Sequence, residues 1–247
     1  MLISAAVCPH PPILVPALAV GAAAELDGLR AACDEAVRRL DAGGGDGTAD
    51  ALIVVGGASE TRAYGAGAYA TLRPYGLDWT SPADPADGYG GEALPLSLTI
   101  GSWLLEQHGL AADARYRSIA FDADPGDCLR LGAELAGSAE RVALLVMGDG
   151  SACRTEKAPG YLDERAQPYD ERVACALGKG DAAALAALDP GVSRELQAAG
   201  RAAWQVLAGA ATAAAPAGFT ASLLADDAPY GVGYFVASWS RSDRTAV

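Results

Sequence analysis

Ala6-Val7-Cys8-Pro9-His10-Pro11-Pro12-Ile13-Leu14-Val15-Pro16 is the stretch on which the fold turns. An apolar run over residues 2–7 leads into it and reads as a buried strand. The run stops where Pro9, Pro11 and Pro12 bracket one histidine. Proline holds φ at about −65° and lacks a backbone donor, so His10 stands on a stiff, non-helical loop. Open α/β sheets place their ligands at loops that follow the carboxyl ends of strands. His10 is therefore a candidate metal ligand or acid/base group. The alternative is an imidazole satisfied by a nearby carbonyl.

Outward from this loop, helices and strands alternate. Residues 22–40 carry Leu26, Leu29, Cys33, Val37 and Leu40 at helical spacing, with charges between them. Residues 41–50 are glycine-rich and acidic and read as a loop. Residues 51–55 form a second buried strand, which delivers Gly56-Gly57-Ala58-Ser59-Glu60-Thr61. Residues 63–91 are irregular and too long for a plain connector. They form either a lid whose Tyr64, Tyr69, Tyr75 and Tyr89 stack on a ring, or a surface segment packed on the domain itself.

A helix follows over 94–108, then an alternating strand over 116–121. A helix over 126–135 is capped from Asp124, with Pro125 in its first turn. The third apolar strand, 142–147, opens into Gly148-Asp149-Gly150-Ser151. Helices are predicted over 170–177, 181–188 and 193–207, and closing strands over 219–224 and 233–239. This alternation predicts one α/β domain across residues 1–247, a three-layer sandwich around a mainly parallel or mixed central sheet.

Composition narrows the function. With 18 basic against 31 acidic residues, the net charge is −13. That balance argues against nucleic acid and against an anionic membrane surface. No run reaches the roughly 18 apolar residues of a membrane span. Met1 leads straight into a strand with no basic leader, so a cytoplasmic protein is expected. The five cysteines (Cys8, Cys33, Cys128, Cys153, Cys175) are scattered and lack the spacing of a zinc site, which predicts reduced thiols.

Three polar loops thus fall at the ends of apparent parallel strands. If those strands are neighbours, His10, Glu60 and Asp149 converge on one cleft, and an imidazole with two carboxylates suits divalent iron, manganese or zinc. Otherwise Glu60 caps a helix and Asp149 makes an Asx turn. His108, just before Gly109, suits the negative end of a helix dipole. Gly148-Asp149-Gly150 lacks the lysine of a P-loop. Tyr230-Gly231-Val232-Gly233-Tyr234-Phe235 is a tight turn leading into the last strand, where glycine lets backbones approach closely.

Cys8-Pro9-His10-Pro11-Pro12-Ile13-Leu14-Val15-Pro16 resembles the opening of the class III extradiol dioxygenases, the LigB-like superfamily. Gly148-Asp149-Gly150-Ser151-Ala152-Cys153 is similar to a second family segment. Tyr169-Asp170 with Val173, Leu177, Gly180-Asp181 and Leu185 is similar to a family helix. Pro229-Tyr230-Gly231-Val232-Gly233-Tyr234 resembles the approach to its C-terminal strand. The resemblance implies a LigB-like fold, a homodimer, and a ferrous site of two histidines and one carboxylate, with a further histidine as acid/base. His10 matches the first ligand. Glu60 stands near the second, Cys153 where the acid/base histidine falls, and Asp226 or Asp227 where the carboxylate falls.

The family chemistry needs three histidines and this chain has two. A site of His10, Glu60 and Asp226 or Asp227 is harder, holding Fe²⁺ less well or preferring Mn²⁺ or Mg²⁺. Asp149 and Cys153 are the candidate catalytic residues, although Cys153 also reads as an inert small residue. Ser59, Ser151, Arg154 and Tyr230 border the same loops as candidate substrate-binding residues. One expectation is an altered metal-dependent, dioxygenase-like oxidoreductase acting on a small aromatic or polar molecule. A second is a non-catalytic binding or scaffold protein with the cleft and no metal. A third is a phosphate- or nucleoside-binding enzyme using Arg62 and Arg154.

Overall fold

The computed structural model describes residues 1–41, 49–82, 91–214 and 218–242. Most of the acidic loop at 41–50 and the whole of 83–90, with Tyr89, lie outside the described residues. The strands are β1 (Leu2–Cys8), β2 (Ala51–Ala58), β3 (Arg62–Ala63), β4 (Ala70–Thr71), β5 (Thr80–Ser81), β6 (Arg115–Ala120), β7 (Val142–Met147), β8 (Phe219–Asp227) and β9 (Tyr234–Arg241). The helices are α1 (Pro16–Ala19), α2 (Asp27–Asp41), α3 (Leu96–Glu106), α4 (Pro125–Ala136), α5 (Ala166–Lys179), α6 (Ala182–Ala186), α7 (Pro190–Glu195) and α8 (Arg201–Ala213).

Seven strands form one mixed sheet in the order β3-β6-β2-β7-β1-β9-β8. Its centre is parallel: β6 with β2, β2 with β7, and β7 with β1. The outer β3, β9 and β8 run antiparallel to their neighbours. Successive side chains of a strand point to opposite faces. Val142, Leu144 and Val146 accordingly join the core under α4, α5 and α8, while Ala143, Leu145 and Met147 join the one under α2 and α3. With both faces covered, the innermost β2 and β7 are continuous apolar runs, and β1 is broken only by the buried Ser4. The molecule is a three-layer α/β sandwich.

The helix predicted over 193–207 is two helices. α7 ends at Glu195, Gln197 takes a positive φ of 54°, and α8 begins only after Gly200. The break is held by tertiary hydrogen bonds. Ala152 N–H donates to the Leu196 carbonyl and Gly200 N–H to the Asp149 carbonyl. The helix predicted from residue 22 begins as a 3₁₀ turn, Val20–Leu26, before α2. The irregular 63–91 segment includes β4 and β5, paired with each other. No described helix is long and apolar enough to cross a membrane.

Candidate functional site: the cleft beside His10

The three strands carrying the polar loops are neighbours, β2-β7-β1. Met147 pairs with Cys8 on one side and with Gly56 on the other, so the three loops leave the sheet in one row. Gly148 N–H donates to the Cys8 carbonyl at 3.0 Å. One step further, His10 N–H donates to Asp149 Oδ1 at 2.8 Å. The same oxygen stands 3.6 Å from His10 Nδ1. His10 is only 5% exposed, and its Nδ1 is buried without a hydrogen-bond partner. The carbonyl expected in the bland reading of His10 is not there for that nitrogen.

His10 lines a cleft of about 370 Å³ together with Ser59, Glu60, Arg62, Tyr64 and Phe121. Ser97, in the first turn of α3, closes one wall by donating Oγ–H to the Gly57 carbonyl at 2.8 Å. A Cβ on Gly56 would lie 2.5 Å from Ser97 Oγ, so the glycine there is steric. Arg62 bridges Glu60 and Glu92 and stacks 4.8 Å over the Tyr64 ring. Those carboxylates hold the Arg62 guanidinium above its usual value, the Glu60 hydrogen bond contributing most. Burial pushes the Asp149 carboxyl up, against the neighbouring His10. Burial, then the charges of Asp149 and Tyr230, push the Tyr234 phenol up.

The remaining predicted residues gather elsewhere. Asp170, 1% exposed on α5, accepts from Ser151 N–H at 2.8 Å, Ser151 Oγ–H at 2.7 Å and Arg154 Nη1 at 3.1 Å. Ser151 and Arg154 are thereby parts of a buried clamp. Arg154 N–H also donates to the Gly231 carbonyl, and Gly150 N–H to Gly233. A Cβ on Gly233 would meet Asp170 Oδ2 at 2.6 Å, which explains a glycine in that turn. Cys153 is buried, with Sγ 3.5 Å from the Leu196 carbonyl, and burial raises its thiol above the ordinary value. Tyr230 donates its phenol hydrogen to Glu25 at 3.0 Å. Asp226 and Asp227 are exposed on the outermost strand β8, Asp226 being raised mainly by burial. His108 ends the turn after α3, and its Nε2 lies 2.7 Å from Asp34 Oδ1 on α2.

The fit to an iron or manganese site follows from these positions. Among the described residues, no group of three His, Cys, Asp or Glu side chains is placed to hold an ion. His10 and Asp149 are adjacent donors, whereas Glu60 is paired with Arg62 and its side chain is 63% exposed. Asp226 and Asp227 stand two strands beyond β1. The expected set of His10, Glu60 and Asp226 or Asp227 is not assembled, and two donors fall short of a three-ligand site.

Sequence reasoning missed Phe121, Ser97 and Glu92, which come to the cleft from distant segments and carry no local signal. It also missed the clamp of Asp170, which entered the reading only as part of the segment similar to a family helix and with no partner assigned to its carboxylate.

The fold and cleft define an α/β protein with a ligand-sized opening at the carboxyl ends of its parallel strands. No family model matches the chain, and no curated protein matches it. A solved structure does: the crystal structure of the uncharacterized protein JW3007 from Escherichia coli K12. The identity is 13% and the TM-score 0.55, over 96% of this chain and 99% of that one. The likeness is one of fold.

Proposed function

We propose that the cleft beside His10 binds a small polar or aromatic molecule, with His10 as the group that exchanges a hydrogen bond or proton with it. The observation that carries this reading is the buried, unpartnered Nδ1 of His10, 3.6 Å from Asp149 and in a residue that lines the cleft. A carboxylate beside an imidazole orients the ring. The rings of Tyr64 and Phe121 give the cleft flat apolar walls. The resemblance of the 8–16 stretch to extradiol dioxygenases favours a catechol-like ligand. The chain has too few histidines for that family's full set.

The test uses the fact that the chain has two histidines. Their imidazole NMR signals are assigned with His10→Ala, and catechol is titrated in. Saturable movement of the His10 signals with His108 unmoved is expected. Equal movement of both, or none, would overturn the reading.

A second reading is a metal-dependent oxidoreductase in which His10 and Asp149 are the two protein ligands and the remaining positions are left to solvent or substrate, favoured by that same Nδ1 beside a carboxylate. Elemental analysis of protein loaded with Fe²⁺ or Mn²⁺ decides it. Stoichiometric metal that is lost in His10→Ala supports it; metal absent from both proteins removes it.

A further inference from the structure

Away from the cleft, a second cavity of about 470 Å³ opens between α5 and the short α6–α7 pair. That volume is in the range of small-molecule sites. Ala176, Ala184, Leu188 and Val192 make its surface mostly apolar. Arg172, Cys175, Ala176 and Lys179 all line it from α5, as their three- and four-residue spacing requires.

Its charges are arranged unequally. The lining carboxylates are both engaged as helix caps. Asp181 accepts from Ala184 N–H at 2.9 Å and Asp189 from Val192 N–H at 2.8 Å. Each therefore faces the positive end of a helix. Arg172 and Lys179 make no ion pair among the described residues. Elsewhere arginines of this acidic chain sit on carboxylates, as Arg30, Arg62, Arg141 and Arg165 do. Two unpaired cations at one apolar cavity, in a chain of net charge −13, call for an anion with an apolar body.

We propose that this cavity is a binding site for an amphipathic monoanion such as a medium-chain carboxylate. The head lies between Arg172 and Lys179, and the tail against Leu188, Val192 and Ala176. The site is separate from the His10 cleft, so the two readings stand or fall independently.

Cys175 lines the cavity and is the exposed thiol among the described cysteines, which makes it the reporter. Decanoate, below its micelle concentration, is titrated against the rate at which N-ethylmaleimide modifies Cys175, followed by mass spectrometry. Saturable protection is expected in the native chain and in His10→Ala. The Arg172→Gln/Lys179→Gln double variant, altered only at exposed side chains, should need at least about tenfold more decanoate. Decyltrimethylammonium should not protect. The proposal is overturned by no protection in the native chain, by equal protection in the double variant, or by equal protection from the cationic surfactant.

Discussion

At the scale of single residues, Asp170 holds the most concentrated set of contacts near the strand-end loops. Its carboxylate accepts three hydrogen bonds at 1% exposure, two from Ser151 and one from Arg154. Asp170→Ala leaves the two Ser151 donors facing a buried hole and the part-exposed Arg154 without its carboxylate, and an unsatisfied buried donor costs about 1–3 kcal/mol. Urea unfolding should show a loss of that size, with Asp170→Asn recovering part of it. A loss within error of zero would mean that water or another acceptor replaces the carboxylate. Asp163 shows the opposite surface case. Arg165 donates to it from its backbone and guanidinium and holds its carboxyl at about 2. A carboxyl lowered in the folded state adds stability above its ordinary range, and that stability fades as pH falls toward about 2. Native protein and Asp163→Asn should therefore differ near neutral pH and converge in acid. A gap that stays constant with pH would refute this account.

At the scale of elements, the α4–α8 contact is built on missing side chains. A Cβ on Gly132 would lie 2.0 Å from the Val206 carbonyl oxygen, and one on Gly209 would lie 2.1 Å from that of Leu129. Gly132→Ala must push two backbones apart, an overpacking cost of roughly 1–3 kcal/mol. Gly28 in α2 has open space around it, so Gly28→Ala should stabilise by a few tenths to about 1 kcal/mol. Thermal unfolding of the two variants should shift in opposite directions; a common sign would sink the steric argument. The break between α7 and α8 belongs to this scale as well. Apolar spacing runs through 193–207 with no proline, so the local pattern reads as one helix. Bonds from Ala152 and Gly200 across to other segments outweigh it.

For the whole molecule, the charge of −13 should keep the chain from polyanions. No retardation of duplex DNA is expected at about 0.05 M salt, where electrostatic binding is strongest. A salt-sensitive shift would show a basic face that total charge conceals.

The sandwich was legible before any coordinates. Residues 51–55 and 142–147 are apolar throughout, and 2–7 apart from the buried Ser4, because strands covered on both faces need no polar side, and that pattern is local. That His10 stands in a non-helical loop after the first strand was legible because prolines constrain their neighbours within the chain. What the tertiary structure decided is which side chains meet. Strand order brought Asp149 to His10 and left Asp226 and Asp227 on the outer edge, and the fold brought Glu92 to Arg62 beside Glu60. Such meetings depend on long-range register and on competition for partners, which residue spacing along one chain does not encode.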